Sequence, residues 1–299
     1  MSESLAGVFP VFQTPFLEDD TIDADVLAEE IEWMYSHGID GIVMAMVSEV
    51  LRLSAEERRT LARLACDFGL RQGPVVISVG AESTKVAVEF CRHAESVGAS
   101  AVMAIPPTSL SALEDELVGY YEALLDAVGV PVIVQDASGY VGRSMTIAMQ
   151  ARLLETYGER VLFKPEAVPI GPNLSELRDA TNGAARVFEG SGGISLVDSY
   201  KRGIVGTMPG AEVCWAIVAL WRALEAGNIA RIDAINGPLT ALVSLQTNLD
   251  AFIAVEKHLL HKQGVFPNTR VRGPVGFRLD PETLAEVDRL FELLLAAAT

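Results

Sequence analysis

The chain has 299 residues, of which 50% are hydrophobic and 21% are charged. It carries 40 acidic residues against 23 Lys and Arg residues, and its formal net charge is −17. A surface this negative repels phosphate, which excludes nucleic acid and disfavours an anionic membrane as partners. The length allows one large domain or two ordinary ones.

The three cysteines, Cys66, Cys91 and Cys214, lie far apart in the sequence and form no CxxC pair. This pattern is typical of reduced thiols in a cytosolic protein and disfavours a disulfide framework or a zinc site. The N-terminus shows no basic segment followed by an apolar one, and no apolar run is long enough to span a membrane. We therefore expect a cytoplasmic protein.

Short apolar runs alternate with longer amphipathic stretches along the first 226 residues. The short runs are typical of strands buried on both faces of a parallel sheet, and they span residues 7–13, 41–46, 74–79, 100–105, 130–135, 161–164, 185–189 and 204–208. The amphipathic stretches predict helices over residues 23–37, 54–70, 83–97, 113–128, 145–157, 173–181, 193–201 and 213–226. Eight strands in strict alternation with eight helices predict an α/β fold of the (β/α)8 or TIM barrel type.

The remainder of the chain has helical periodicity over residues 229–263 and 281–298. We predict a catalytic barrel at residues 1–226 and a C-terminal helical appendage at residues 227–299. No glycine-rich phosphate turn follows the first strand, which disfavours a doubly wound dinucleotide-binding sheet.

One lysine stands at a strand end, where TIM barrels place their catalytic groups. Lys164 ends the apolar strand VLFK, and the chain has only four other lysines. Burial in an apolar barrel mouth penalises the cation and favours the neutral amine, which can attack a carbonyl carbon and form a Schiff base. An ion pair with Glu166 or Glu189 that merely closes the barrel is the structural alternative.

The other basic side chains point to no further site. Lys85, Lys201, Lys257 and Lys262 fall in predicted helices, where we expect them to be solvated. The four histidines also fall in helices without metal-ligand spacing, so we expect no metal. The segment GSGGIS at residues 190–195 is either a cradle for a phosphate or carboxylate or simply a tight turn.

With a lysine at the end of the sixth strand, the chain resembles the dihydrodipicolinate synthase / N-acetylneuraminate lyase family of Schiff-base-forming barrels. The resemblance covers nearly the whole chain and rests on GVFPVFQTPF at 7–16, the segment 41–54 ending in SEVLRLS, PVIVQD at 131–136 and VLFK at 161–164. It implies that Lys164 binds a small 2-keto acid covalently through the C2 carbon of the acid. It also implies a homo-oligomer, either a tetramer or a dimer, and no cofactor, because the imine itself is the electron sink.

The chain departs from the typical family pattern at four places. AMVSE at residues 45–49 stands where typical members carry GTTGE, which leaves Ser48 as the only hydroxyl of this segment. Gln135 replaces the tyrosine of the fifth strand, Thr108 matches a second tyrosine, and Tyr140 matches an arginine that grips the carboxylate of an aldehyde substrate. A tyrosine-based proton relay cannot run through Gln135, because an amide does not titrate usefully.

These departures resemble a side branch of the family that includes dehydratases of 2-keto-3-deoxy sugar acids. The resemblance implies that the Lys164 imine acidifies the C3 proton and that the resulting enamine expels the C4 hydroxyl. Glu166 ranks first as the base, ahead of Glu189, Asp136 and Glu49.

We predict Lys164, Gln135 and Glu166 as the catalytic residues. The predicted substrate-binding residues are Val47, Ser48, Thr108, Tyr140, Glu189, Ser191 and Thr207. Two alternatives stay open, namely an aldolase or synthase that uses pyruvate and a non-catalytic barrel that binds a keto acid.

Overall fold

A computed structural model describes residues 5–299, and within them eight short strands alternate with helices. The strands are β1 (Gly7–Val8), β2 (Ile42–Met44), β3 (Val75–Ser78), β4 (Ala101–Ala104), β5 (Val132–Asp136), β6 (Val161–Pro165), β7 (Phe188–Glu189) and β8 (Gly206–Thr207). Each strand residue is buried, as expected for strands with helices on the outside and packed side chains on the inside.

All strand pairs are parallel, and they close into a barrel. Strands β2 to β6 pair in sequence order, while β8 lies between β1 and β7. Single bridges join the two groups, from Val11 to Val43 on one side and from Phe163 to Val187 on the other. The predicted (β/α)8 barrel is therefore confirmed. Strand β1 is shorter than expected, although the N–H groups of Phe9 and Val11 still donate to the carbonyl oxygens of Thr207 at 2.9 Å and Pro209 at 2.7 Å.

The helices are α1 (Ala24–Ser36), α2 (Ala55–Gly69), α3 (Thr84–Ser96), α4 (Glu114–Ala127), α5 (Ile147–Tyr157), α6 (Ile170–Ala180), α7 (Leu196–Lys201), α8 (Cys214–Glu225), α9 (Ile229–Val243), α10 (Leu249–Lys262) and α11 (Pro281–Ala298). Helix α2 begins with the predicted capping box, in which the Glu57 N–H donates to Ser54 Oγ at 3.2 Å and the Ser54 N–H donates to Glu57 Oε2 at 2.8 Å. Among residues 5–299 no helix is long and apolar enough to cross a membrane.

The helical periodicity predicted over residues 229–263 corresponds to two helices in the structure. Helix α9 ends at Val243, and Asn248 starts α10 by accepting a hydrogen bond from the Ala251 N–H at 3.0 Å. An asparagine side chain that caps the backbone competes with helix continuation, and here the cap prevails.

The C-terminal helices share one hydrophobic core with the barrel helices. That core includes Leu220 of α8, Leu239 of α9, Leu259 of α10 and Leu294 of α11. Helix α10 also packs against the short turns Met46–Ser48 after β2 and Ala211–Val213 after β8. It therefore covers the carboxyl-terminal end of the barrel strands, where TIM barrels place their active sites. The division at residue 226 stays a prediction.

The expectation that Lys257 is a solvated surface lysine is wrong. Its side chain is completely buried, and its Nζ lies 2.5 Å from Glu49 Oε1. The same ammonium donates to the carbonyl oxygens of Thr14 at 2.8 Å and Arg270 at 2.7 Å. Because α10 lies over the barrel mouth, Lys257 faces inward and ties the C-terminal segment to the loops after β1 and β2.

We predict that Lys257→Met lowers the free energy of unfolding by about 3–5 kcal/mol, because it leaves the Glu49 carboxylate buried without its partner. Urea unfolding measures the change. Lys85→Met is the matched control, since 87% of the Lys85 side chain is exposed, and it should change stability by less than about 0.5 kcal/mol. Equal urea midpoints for the two variants would contradict a stabilising role for the buried pair.

Candidate active site

A pocket opens at the carboxyl end of the barrel, between the strand ends and α10. Its polar and titratable lining consists of Gln135, Tyr140, Lys164, Glu166 and Glu256. Its apolar lining includes Val11, Ala45, Met46, Val47, Met208, Leu249 and Phe252. A few polar groups that converge in an apolar cleft are typical of a small-molecule site.

Lys164 lies near the end of β6 beside Gln135 of β5, which is its register partner in the parallel ladder. The strand is followed by Glu166, whose N–H donates to the carbonyl oxygen of Asp136 at 2.8 Å. This bond continues the ladder spacing, so Glu166 lies on the same face as Lys164, two residues earlier. The side chains of Lys164 and Glu166 are each only 4% exposed.

The Glu166 carboxylate connects the two neighbouring side chains. Lys164 Nζ donates to Glu166 Oε1 at 3.0 Å, and Gln135 Nε2 donates to Glu166 Oε2 at 2.7 Å. Burial raises the pKa of Glu166, while the Lys164 charge and the Gln135 hydrogen bond oppose that rise. This carboxylate can therefore accept a proton from the ammonium and leave a neutral, nucleophilic amine.

The main chain after β7 presses against this pair. A Cβ atom on Gly190 would lie 2.8 Å from Lys164 Cε and 2.8 Å from Glu166 Cγ. Neither side chain could keep its position beside a larger residue. Gly190 thus allows the backbone to form one wall of the pocket and restricts where the lysine amine can point.

Glu189, Ser191 and Thr207 are brought together, but their polar groups bond to one another. Glu189 accepts hydrogen bonds from the Ser191 N–H at 2.5 Å and the Thr207 hydroxyl at 2.9 Å. Ser191 Oγ in turn accepts a hydrogen bond from the Ser195 N–H at 2.9 Å. The nearby pocket wall is formed by Gly190 and Gly192. The three predicted residues thus lie directly behind that wall.

Of the other predicted binding residues, Val47 and Tyr140 line the pocket. The Tyr140 ring packs edge-on against Phe252, and burial raises its pKa well above the usual range of a phenol. Ser48 is completely buried and donates its hydroxyl proton to the carbonyl oxygen of Phe12 at 2.6 Å. Thr108 lies outside the pocket, where its hydroxyl donates to Glu82 at 2.8 Å.

Two of the carboxylates considered as bases hold loops instead. Glu49 pairs with Lys257 and accepts the Arg272 N–H at 2.9 Å. Asp136 accepts the N–H groups of Ser138 at 3.0 Å and Met145 at 2.8 Å. Their oxygen atoms are therefore engaged in fixing the loops after β2 and β5.

Helix α10, whose contribution was not predicted from the sequence, supplies Leu249, Phe252 and Glu256 to the pocket. A signal for Glu256 was present, since it stands four residues after Phe252 in the apolar stripe of the helix. Among residues 5–299 no cluster of three or more His, Cys, Asp or Glu side chains is arranged to hold a metal ion.

Known proteins resemble this chain over most of its length. An L-2-keto-3-deoxyarabonate dehydratase from Azospirillum brasilense is 28% identical over 94% of this chain and 92% of its own. A 4-hydroxy-tetrahydrodipicolinate synthase from Rhizobium meliloti (strain 1021) is 26% identical over 94% of this chain and 96% of its own.

The fold of this chain also resembles that of a solved structure over nearly the whole chain. YagE, a prophage protein of the dihydrodipicolinic acid synthase family from Escherichia coli K12 solved in complex with pyruvate, has a TM-score of 0.87. It is 24% identical, and the match covers 97% of this chain and 99% of that chain. A model of the dihydrodipicolinate synthetase family matches residues 4–292. The chain therefore belongs to the dihydrodipicolinate synthetase family and is a lyase of that type.

Proposed function

We propose that this lyase removes water from a 2-keto-3-deoxy sugar acid through an imine on Lys164. The observation that carries the proposal is the buried group of Lys164, Glu166 and Gln135 in one pocket at the strand ends. A lysine beside a carboxylate supplies both the nucleophile and the proton acceptor that imine chemistry requires.

The first step forms the imine. Glu166 takes a proton from the Lys164 ammonium, and the neutral amine attacks the C2 carbonyl carbon of the substrate. The carbinolamine then loses its hydroxyl group as water, with a proton supplied from Glu166, and a protonated imine remains. Gln135 donates a hydrogen bond to Glu166 and keeps the carboxylate directed at this centre.

The second step removes the elements of water from C3 and C4. The protonated imine withdraws electrons from C3, and the Glu166 carboxylate accepts the C3 proton. The electron pair of the resulting enamine then expels the C4 hydroxyl, which leaves as water after it gains a proton. Water finally hydrolyses the unsaturated imine, which releases the dehydrated keto acid and restores the Lys164 amine.

Two observations favour dehydration over carbon–carbon bond cleavage. Gln135 occupies the position of the strand-5 tyrosine and cannot relay protons, whereas carboxyl groups surround the imine position. In addition, the Azospirillum brasilense relative is a dehydratase of a 2-keto-3-deoxy acid.

The pyruvate complex of YagE supports a second candidate function, an aldolase that adds or releases pyruvate. The proposed cytoplasmic location rests on the cysteine pattern and the N-terminal sequence, and the proposed dimer or tetramer rests on the family resemblance.

We expect Lys164→Arg to abolish covalent capture of pyruvate, because a guanidinium cannot form the imine. The protein is treated with pyruvate and borohydride, and its mass is measured. Wild-type protein and the exposed-helix control Lys201→Arg should gain the mass of a reduced pyruvyl adduct. An adduct of equal yield on Lys164→Arg would refute the proposed nucleophile.

A panel of 2-keto-3-deoxy acids that differ in length and in configuration at C4 separates the two candidate reactions. We expect the wild-type protein to convert at least one of them to a dehydrated keto acid with no release of pyruvate. Mass spectrometry detects the loss of one water molecule, while lactate dehydrogenase detects pyruvate. Release of pyruvate and an aldehyde instead would identify an aldolase.

We expect Glu166→Gln to slow exchange of the pyruvate methyl protons with deuterium oxide by about 100-fold or more, because the amide cannot accept the C3 proton. Nuclear magnetic resonance follows the exchange. In the wild-type protein, exchange should fall as the pH drops through the raised pKa of Glu166, since only the carboxylate is a base. Lys164, Gln135 and Glu189 face this carboxyl group. Unchanged exchange in Glu166→Gln would assign the base elsewhere.

A further inference from the structure

Glu256 is a buried carboxyl group in the wall of the pocket that contains Lys164. It belongs to α10, is 2% exposed and lines the pocket with Lys164 and Glu166. Its Oε2 accepts a hydrogen bond from the amide of Gln13, which follows β1. The side chain is therefore oriented by a neighbour on the barrel and not by solvent.

A second buried carboxyl group, Glu212, lies beside Glu256. A Cβ atom on Gly210 would collide with Glu212 Oε2 and would lie 2.7 Å from Glu256 Oε1, so both oxygens face the same small space. Glu212 Oε2 is buried and has no hydrogen-bond partner among residues 5–299. Two adjacent buried carboxylates repel one another, and sharing a proton relieves the repulsion.

The surroundings raise the pKa of both carboxyl groups. Burial and then the charge of Glu212 raise the pKa of Glu256 well above its ordinary value, while Gln13 and Lys164 oppose the rise. Burial raises the pKa of Glu212 to about 7. Glu30 of α1 adds a third buried carboxyl group, and its pKa is also raised by burial. A carboxyl group that keeps its proton at neutral pH can act as a general acid.

We infer that Glu256 is the catalytic acid that protonates the departing C4 hydroxyl, and that Glu212 is a positioning residue that keeps the proton on Glu256. This inference rests on the proposed dehydration. As the C4–O bond breaks, the Glu256 proton passes to the hydroxyl oxygen and water leaves. Glu256 becomes a carboxylate. The proton that Glu166 took from C3 then passes through water to Glu256, which restores the acid before the next turnover.

The proposed base and the proposed acid belong to different walls of the pocket. Glu166 follows β6 and contacts Lys164, the residue that bears the imine. Glu256 lies beside the segments that follow β8 and β1, where Gly210 and Gln13 are found. A substrate held through C2 on Lys164 would thus have a base on one side and an acid on the other. Removal of a proton from C3 and protonation of the hydroxyl that leaves C4 require both groups.

The test uses Glu256→Gln, which keeps the shape of the side chain but has no acidic proton. Pyruvate capture by borohydride should remain at the wild-type level, because imine formation does not need Glu256. Turnover of the 2-keto-3-deoxy acid found for the wild-type protein should fall about 100-fold or more. The 4-fluoro analogue of the same acid should react at close to the wild-type rate, since fluoride leaves without a proton. Glu155→Gln, on the exposed face of α5, is the matched control and should behave as wild type on both substrates.

Glu212→Gln tests the positioning role by its effect on pH dependence. Loss of the Glu212 charge lowers the pKa of Glu256, so the acid should lose its proton at a lower pH. We expect the alkaline limb of kcat to move to lower pH with KM unchanged, an effect that a purely structural role would not produce. The groups that face Glu256 are Glu212, Glu30, Lys164, Gln13 and Tyr140.

Two results with Glu256→Gln would overturn the inference. One is wild-type turnover of the hydroxy acid, and the other is equal loss of turnover with the hydroxy and fluoro substrates while pyruvate capture persists. An unmoved alkaline limb in Glu212→Gln would overturn the positioning role. A wild-type protein that dehydrates no acid of the panel would overturn the proposed function itself, and that result is seen before any variant is made.

Discussion

The structure depends on how charged groups are accommodated where water is largely absent. Lys164 and Glu166 are both almost completely buried, and each would be costly to bury alone. Their contact at 3.0 Å lowers that cost, but it consumes only one of the two carboxylate oxygens, and Gln135 satisfies the other. The Glu166 carboxylate therefore depends on both neighbours. Lys164 and Gln135 together fix its direction, and the carboxylate in turn fixes the position of the Lys164 amine.

The amphipathic and apolar periods along the chain predicted the barrel well. Buried parallel strands are apolar on consecutive residues, and their helices carry strong start and stop signals such as the Ser54–Glu57 capping box. Lys164 and Glu166 could also be placed, because a strand fixes which residues share a face. The helical period over residues 229–263 did not reveal that this region forms two helices, the second of which begins with a side-chain cap at Asn248.

Contacts between distant segments could not be predicted in this way. Thr108 was matched by position in the sequence, yet its hydroxyl is held by Glu82 outside the pocket. Glu256 and Lys257 were overlooked because nothing local reveals that α10 covers the barrel mouth. Their burial depends on packing between segments more than 200 residues apart, namely Gln13 with Glu256 and Glu49 with Lys257. The apolar residues around them in α10 mark a buried helix but do not identify what it faces.

The neighbouring residues Glu256 and Lys257 of α10 have different roles, since Lys257 pairs with Glu49 and Glu256 lines the pocket. Lys257 is paired with Glu49 and tied to two carbonyl oxygens, and its charge also opposes the rise in the pKa of Glu30 that burial causes. Glu30, Glu212 and Glu256 then share the pocket region with Lys164, whose ammonium already contacts Glu166. Burial raises the pKa of each of these three carboxyl groups, which favours the protonated form. The same helix that stabilises the barrel mouth through a lysine thus places in the pocket a carboxyl group with a raised pKa, which the proposed elimination of water would use as its acid.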